Sequence, residues 1–94
     1  MGLNRMRVVV ALLSSSDEAR PAGPLSPLVE DVVWAHARPS EGLEHLTTKC
    51  VEDGLELYFF VRATSEANAL TLVQALLDRV RGSLFSHGFT LDRG

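Results

Sequence analysis

Two runs of residues meet at Asp53-Gly54, and no other stretch of this sequence restricts the fold as tightly. Asp-Gly supplies the positive φ needed at the centres of a type I′ hairpin turn. Strands are therefore expected over 43–51 and 55–63. A two-residue turn at Asp53-Gly54 pairs Glu52 with Leu55, and the rest of the ladder follows. Cys50 then faces Leu57, Thr48 faces Phe59 and Leu46 faces Val61, on a mostly apolar side. On the other side Lys49 faces Tyr58, Thr47 faces Phe60 and His45 faces Arg62. A one-residue slip would mix the two sets, so pattern and turn agree on the register.

The flanking segments supply the other elements. Residues 5–13 read as a first strand, and the unbroken run Val8–Leu13 suits a central strand buried on both faces. Ser14 to Pro24 is polar and rich in breakers, a long loop. Ser26 is a good N-cap, Pro27 suits the first helical position, and Glu30 and Asp31 answer the helix dipole, so a helix is expected over 27–37. Its inner stripe reads as Leu28, Val32, Ala35 and His36, with Trp34 packing on the core or an interface. Arg38 to Gly42 ends it.

A second helix, capped by Thr64 or Ser65, carries Leu70, Val73, Leu76, Leu77, Val80 and Leu84 at helical spacing, with Gly82 near its end. After the turn at His87-Gly88, Phe89-Thr90-Leu91 reads as a short last strand. The order is that of an α+β chain, a ferredoxin-like βαββαβ sandwich. Its four-stranded antiparallel sheet, in order 4-1-3-2, carries two helices on one face.

Ninety-four residues make a single domain, 1–94, with 14–24 as a flexible loop. A chain this short buries only about 60–65% of the surface its unfolded form exposes. One cysteine cannot form an internal disulfide, and no Cys/His cluster suggests structural zinc, so no metal and no cofactor is expected. With 46% hydrophobic residues, the remaining source of stability is a second copy of the chain, as a homodimer or larger assembly.

Net charge is −3, and the arginines form no basic stripe, which disfavours nucleic acid as a partner. Nor does any apolar stretch approach a membrane span. The run behind Arg5 and Arg7 is shorter than a signal-peptide core, so a cytoplasmic protein is expected. The absence of isoleucine, and eight arginines against the single Lys49, suit a GC-rich, actinobacterium-like source.

Two helices on one sheet face leave the other face open. It should carry His45, Thr47, Lys49 and Val51 from the second strand and Glu56, Tyr58, Phe60 and Arg62 from the third. Aromatics interleaved with cations suit either packing against another subunit or a cleft for an anionic, aromatic or peptide ligand. Lys49 is the candidate catalytic residue. Beside Tyr58 its ammonium could orient a carbonyl or carboxylate, or serve as a base or imine-forming amine after desolvation. His45 is the candidate acid–base partner, with Tyr58, Phe60, Arg62 and Thr47 as ligand contacts. The bland alternative for Lys49 is an edge-strand lysine that discourages aggregation. Cys50 should point to the helix side as a small hydrophobe, and His36 and His87 suit packing and local hydrogen bonding.

The layout resembles several families of small domains. There is no Cys-x-x-Cys of the metal chaperones and no glycine-rich arginine loop of the acylphosphatases, while the dimeric α/β-barrel monooxygenases share only architecture. Lys49-Cys50-Val51 before Asp53-Gly54 resembles the nosiheptide-type terminal-amide-forming proteins of thiopeptide biosynthesis. That resemblance implies a ferredoxin-like oligomer in which Lys49 holds a peptide. The family's water-activating acid lies near the domain end, where this chain has Asp92. Two functions follow as expectations: a homo-oligomeric binding or accessory module using the open face, or a cofactor-free tailoring enzyme that forms a terminal amide by C–N cleavage.

Overall fold

A computed structural model of the chain describes residues 5–15, 25–51, 54–86 and 89–92. Strand β1 (Arg5–Ser15) is followed by helix α1 (Leu25–His36), a 3-10 turn (Pro39–Glu41), strands β2 (Leu43–Val51) and β3 (Gly54–Ala63), and helix α2 (Glu66–Ser86). The fold is α+β. Its sheet is antiparallel, with β3 between β2 and β1. A four-residue segment, Phe89–Asp92 (β4), runs antiparallel beside Leu12–Ser15 on the far side of β1.

Both helices pack on one face of the sheet. Val29 and Val33 of α1 and Ala69, Val73, Leu76, Val80 and Leu84 of α2 share a core with Leu13, Leu46, Leu55, Leu57, Phe59, Val61 and Ala63. At roughly 1.5–3 kcal/mol per fully buried aliphatic or aromatic side chain, this layer is the main source of stability. It also fixes the phase of each helix. In α1 the buried stripe is centred on Val29 and Val33, whereas Leu28 is half-buried and Ala35 and Trp34 are exposed. Leu25, Leu28, Val29, Val32 and Val33 recur at helical spacing, so the sequence marks a broad apolar stripe, and packing against β2 and α2 selects its Val29–Val33 edge as the buried part. In α2 Ala69 takes the inner place and Leu70 is exposed.

Several boundaries move. β1 runs through Ser15, because Ser14 pairs with Gly54 and both serines pair with β4. Helix α1 begins at Leu25, which puts Glu30 and Asp31 beyond the first turn, and Glu30 instead accepts a hydrogen bond from Thr48 at 3.0 Å. Helix α2 continues through Gly82 to Ser86. Of the two cap candidates Ser65 is the one used, its hydroxyl accepting the Asn68 N–H at 3.0 Å. Residues 16–24, Glu52, Asp53, His87 and the Ser26 cap lie outside the described residues and side chains.

The hairpin register also differs from expectation. Val51 pairs with Gly54, Cys50 with Leu55, Lys49 with Glu56, Thr47 with Tyr58, Leu46 with Phe59 and His45 with Phe60. The ladder has shifted by two residues, so every side chain keeps its face but changes its neighbour. The reason lies in Gly54. It serves as a strand residue squeezed against β1, where a Cβ would stand 1.8 Å from the Leu13 carbonyl oxygen. Among the described residues the glycine with positive φ is Gly42, at 69°, leading into β2. A bulge between Leu43 and His45 then adjusts the start of that strand.

Candidate functional site

Alternation along β1 leaves Met6, Val8, Val10 and Leu12 on the face opposite the helices. They are 46, 51, 53 and 38% exposed. The expectation that β1 is buried on both faces is thereby corrected for the single chain: two helices cover one side only. Across from these residues lie Arg62, Phe60, Tyr58 and Glu56 in that order. Beyond Phe60, Tyr58 and Glu56 come His45, Thr47 and Lys49. The open face is thus built in rows across the sheet: Val8–Phe60–His45, Val10–Tyr58–Thr47 and Leu12–Glu56–Lys49. Its β1 side is aliphatic, its centre aromatic and its β2 side polar.

The polar groups gather at two ends. At one, the Tyr58 hydroxyl donates to Glu56 Oε1 at 2.8 Å, and Lys49 stands opposite Glu56 in the ladder. That hydrogen bond, with a contribution from burial and from the Glu56 charge, raises the Tyr58 phenol above its ordinary value. At the other end Arg62 Nε meets Glu44 Oε2 at 3.3 Å, both side chains well exposed. Between them the His45 ring lies 5.4 Å from the Phe60 ring, tilted by 53°. A tilted pair of this kind suits the edge-to-face preference of aromatic rings.

All six sequence-predicted site residues, Lys49, His45, Tyr58, Phe60, Arg62 and Thr47, share this face, but not in the predicted pairs. His45 is across from Phe60 rather than Arg62, and Lys49 is across from Glu56 rather than Tyr58. Cys50, expected to be a packed hydrophobe, is exposed near the hairpin end. His36 is half-buried, its Nδ1 2.9 Å from the Val32 carbonyl oxygen. Two sets of residues escaped sequence reasoning. The aliphatic row of β1 was legible in principle, since helices confined to one side leave alternate residues of every strand uncovered. Glu56 was placed on this face but given no role: the shifted register hid its pairing with Lys49, while its neighbour two residues on, Tyr58, was within reach of sequence reasoning.

Away from this face, Glu41 is 6% exposed and forms an ion pair with Arg79. Its other oxygen accepts the Arg38 N–H at 2.8 Å. Burial pushes the Glu41 carboxyl up, but the hydrogen bonds from Arg79 and Arg38 and their charges outweigh it and hold the carboxyl below its ordinary value. Arg79 also donates to the His36 carbonyl, through Nε at 3.3 Å and Nη2 at 3.0 Å. This cluster is structural: it joins α1, the 3-10 turn and α2.

Among the described residues no group of three His, Cys, Asp or Glu side chains could hold a metal ion, and no helix is long and apolar enough to cross a membrane. Comparison with family models, with curated proteins and with solved structures gave no match to this chain.

Proposed function

We propose that this chain is a homo-oligomeric binding module of ferredoxin-like βαββαβ architecture, with β4 completing the sheet and the open face as its working surface. One observation carries the proposal: an aliphatic row, Met6, Val8, Val10 and Leu12, lies uncovered beside Tyr58 and Phe60. Uncovered apolar side chains this close together mark a surface that is covered in use. The aromatic centre supplies area and orientation, and the polar margin (Lys49, Thr47, His45) supplies hydrogen bonds to an anionic, aromatic or peptide ligand.

A tailoring enzyme remains the second reading, favoured by Glu56 lying opposite Lys49. In that case Lys49 would hold the carbonyl of a peptide, and an acid would activate the water that cleaves the C–N bond and leaves a terminal amide. The shifted register sets Glu56 opposite the lysine, where it would serve as that acid in place of Asp92.

Native mass spectrometry of the purified wild type beside Tyr58→Ala and Lys49→Ala tests both readings. An assembly carrying extra small-molecule mass, lost in Tyr58→Ala, supports the module. Turnover of a peptide substrate that vanishes in Lys49→Ala, with assembly intact, supports the enzyme. A wild type that stays monomeric at high concentration refutes the oligomer on which the first reading stands.

A further inference from the structure

The outer edge of β1 carries a second unmet demand, one of backbone rather than side chains. β4 pairs with Leu12–Ser15 only, and no described residue pairs with the outer side of Arg5–Ala11. Which groups point outward follows from the ladder. The Arg62 N–H donates to the Gly42 carbonyl at 2.9 Å, toward the β2 side. Backbone groups alternate along a strand, so the odd residues of β3 turn theirs to β1. Their partners there, Arg5, Arg7, Val9 and Ala11, return those bonds. Met6, Val8 and Val10 therefore point N–H and C=O away from the sheet. Beside this edge runs a groove of about 590 Å³ walled by Arg5–Val9 and by Glu66, Ala69 and Leu70 of α2.

We infer that the occupant is β1 of a second copy, paired antiparallel about a two-fold axis at Val8. Hydrogen-bonding groups can match only when each even residue meets an even one, which leaves few registers. An axis at Arg7 sets Arg7 against Arg7, and one at Met6 sets Arg5 against Arg7. Like charges directly opposite one another oppose such pairing. An axis at Val9 carries the second strand onto Leu12, already taken by β4.

The axis at Val8 avoids all of these. Val8 meets Val8, Met6 meets Val10, Arg7 meets Val9 and Arg5 meets Ala11. The paired length equals the vacant seven residues, roughly 23 Å of strand. On the order of six backbone hydrogen bonds form across the seam. The open-face pairs are all aliphatic, and β-branched pairs of this kind favour strand association. The two open faces then join into one surface with the aliphatic rows at its centre. A foreign strand, or the outer edge of β2 from another copy, could use the same edge, but β2 would set His45, Thr47 and Lys49 against the aliphatic row, whereas β1 matches it in length and in side chains.

The seam rests on the homo-oligomer proposed above and adds where the copies meet. Val8→Pro tests it, because the Val8 N–H meets no partner among the described residues and proline is tolerated at such an edge. Sedimentation velocity of the wild type should give a dimer. Val8→Pro at the same concentration should give a monomer with unchanged helix and strand circular dichroism. Cys50→Ser/Val8→Cys, a variant that leaves the backbone donor in place, should oxidise to a covalent dimer, whereas Cys50→Ser/Thr71→Cys on exposed α2 should not. If Val8→Pro remains dimeric, or if it unfolds and the Val8→Cys variant fails to cross-link, the seam is wrong while the oligomeric module stands. A wild type that sediments as a monomer overturns both.

Discussion

The same three strands present two faces with opposite fates. Toward the helices, Leu13, Leu55, Leu57, Phe59 and Val61 lose almost all contact with water. Away from them, Met6, Val8, Val10 and Leu12 keep about half of theirs, although they share one apolar run of β1 with the fully buried Leu13. Hydrophobicity of a strand therefore says that it sits centrally in a sheet. The number of elements available to cover it says which of its faces are buried. Two helices suffice for one face, and the second is left for something outside the chain.

The contrast can be broken or sharpened by substitution. The largest effect belongs to the covered face: Leu57→Ala should cost about 2–5 kcal/mol in urea unfolding, through lost burial and the cavity left behind. An intermediate effect belongs to the polar cluster that closes the helix layer. Glu41→Gln should cost about 1.5–3 kcal/mol, the range for hydrogen bonds to charged groups.

The acid dependence of Glu41 has a definite sign. Because folding lowers its pKa, its contribution is complete above the unfolded value, near 4.5, and fades as pH falls through the folded one. Below pH 4.5 the wild type should therefore lose part of its lead over Glu41→Gln, read as converging melting temperatures. The smallest effect belongs to the open face. Val10→Thr, measured at a dilution where the chain is monomeric, should change stability by no more than about 0.5 kcal/mol. A large loss there would mean that β1 is not open in the isolated chain.

Much of the fold was legible because its signals were redundant. The face assignment of β2 and β3 survived a wrong register, since a shift of two residues returns every side chain to its own side. The register itself was lost because Asp53-Gly54 carries a strong local signal. What decides the matter is a long-range contact, Gly54 against the Leu13 backbone, which no local pattern contains. The same holds for α1, whose apolar stripe is broad enough that packing against β2 and α2 chooses which edge of it is buried. At the site, the six named residues came together because they occupy alternate positions on two adjacent strands. Their pairing, and the part of Glu56, depended on the register and moved with it. The part of Glu41 is not legible in the turn that ends α1, since its partner Arg79 lies 38 positions further on.

That partner has a consequence for how the molecule comes apart. Arg79 holds the last carbonyl of α1 and the carboxylate of the 3-10 turn at once. An opening that frees α2 must therefore release the end of α1 with it, so the two helices share a single cooperative unit rather than fraying separately. Met6, Val8 and Val10 have no backbone partner among the described residues, so in the monomer their amides should exchange faster than those of Arg7, Val9 and Ala11, which face β3.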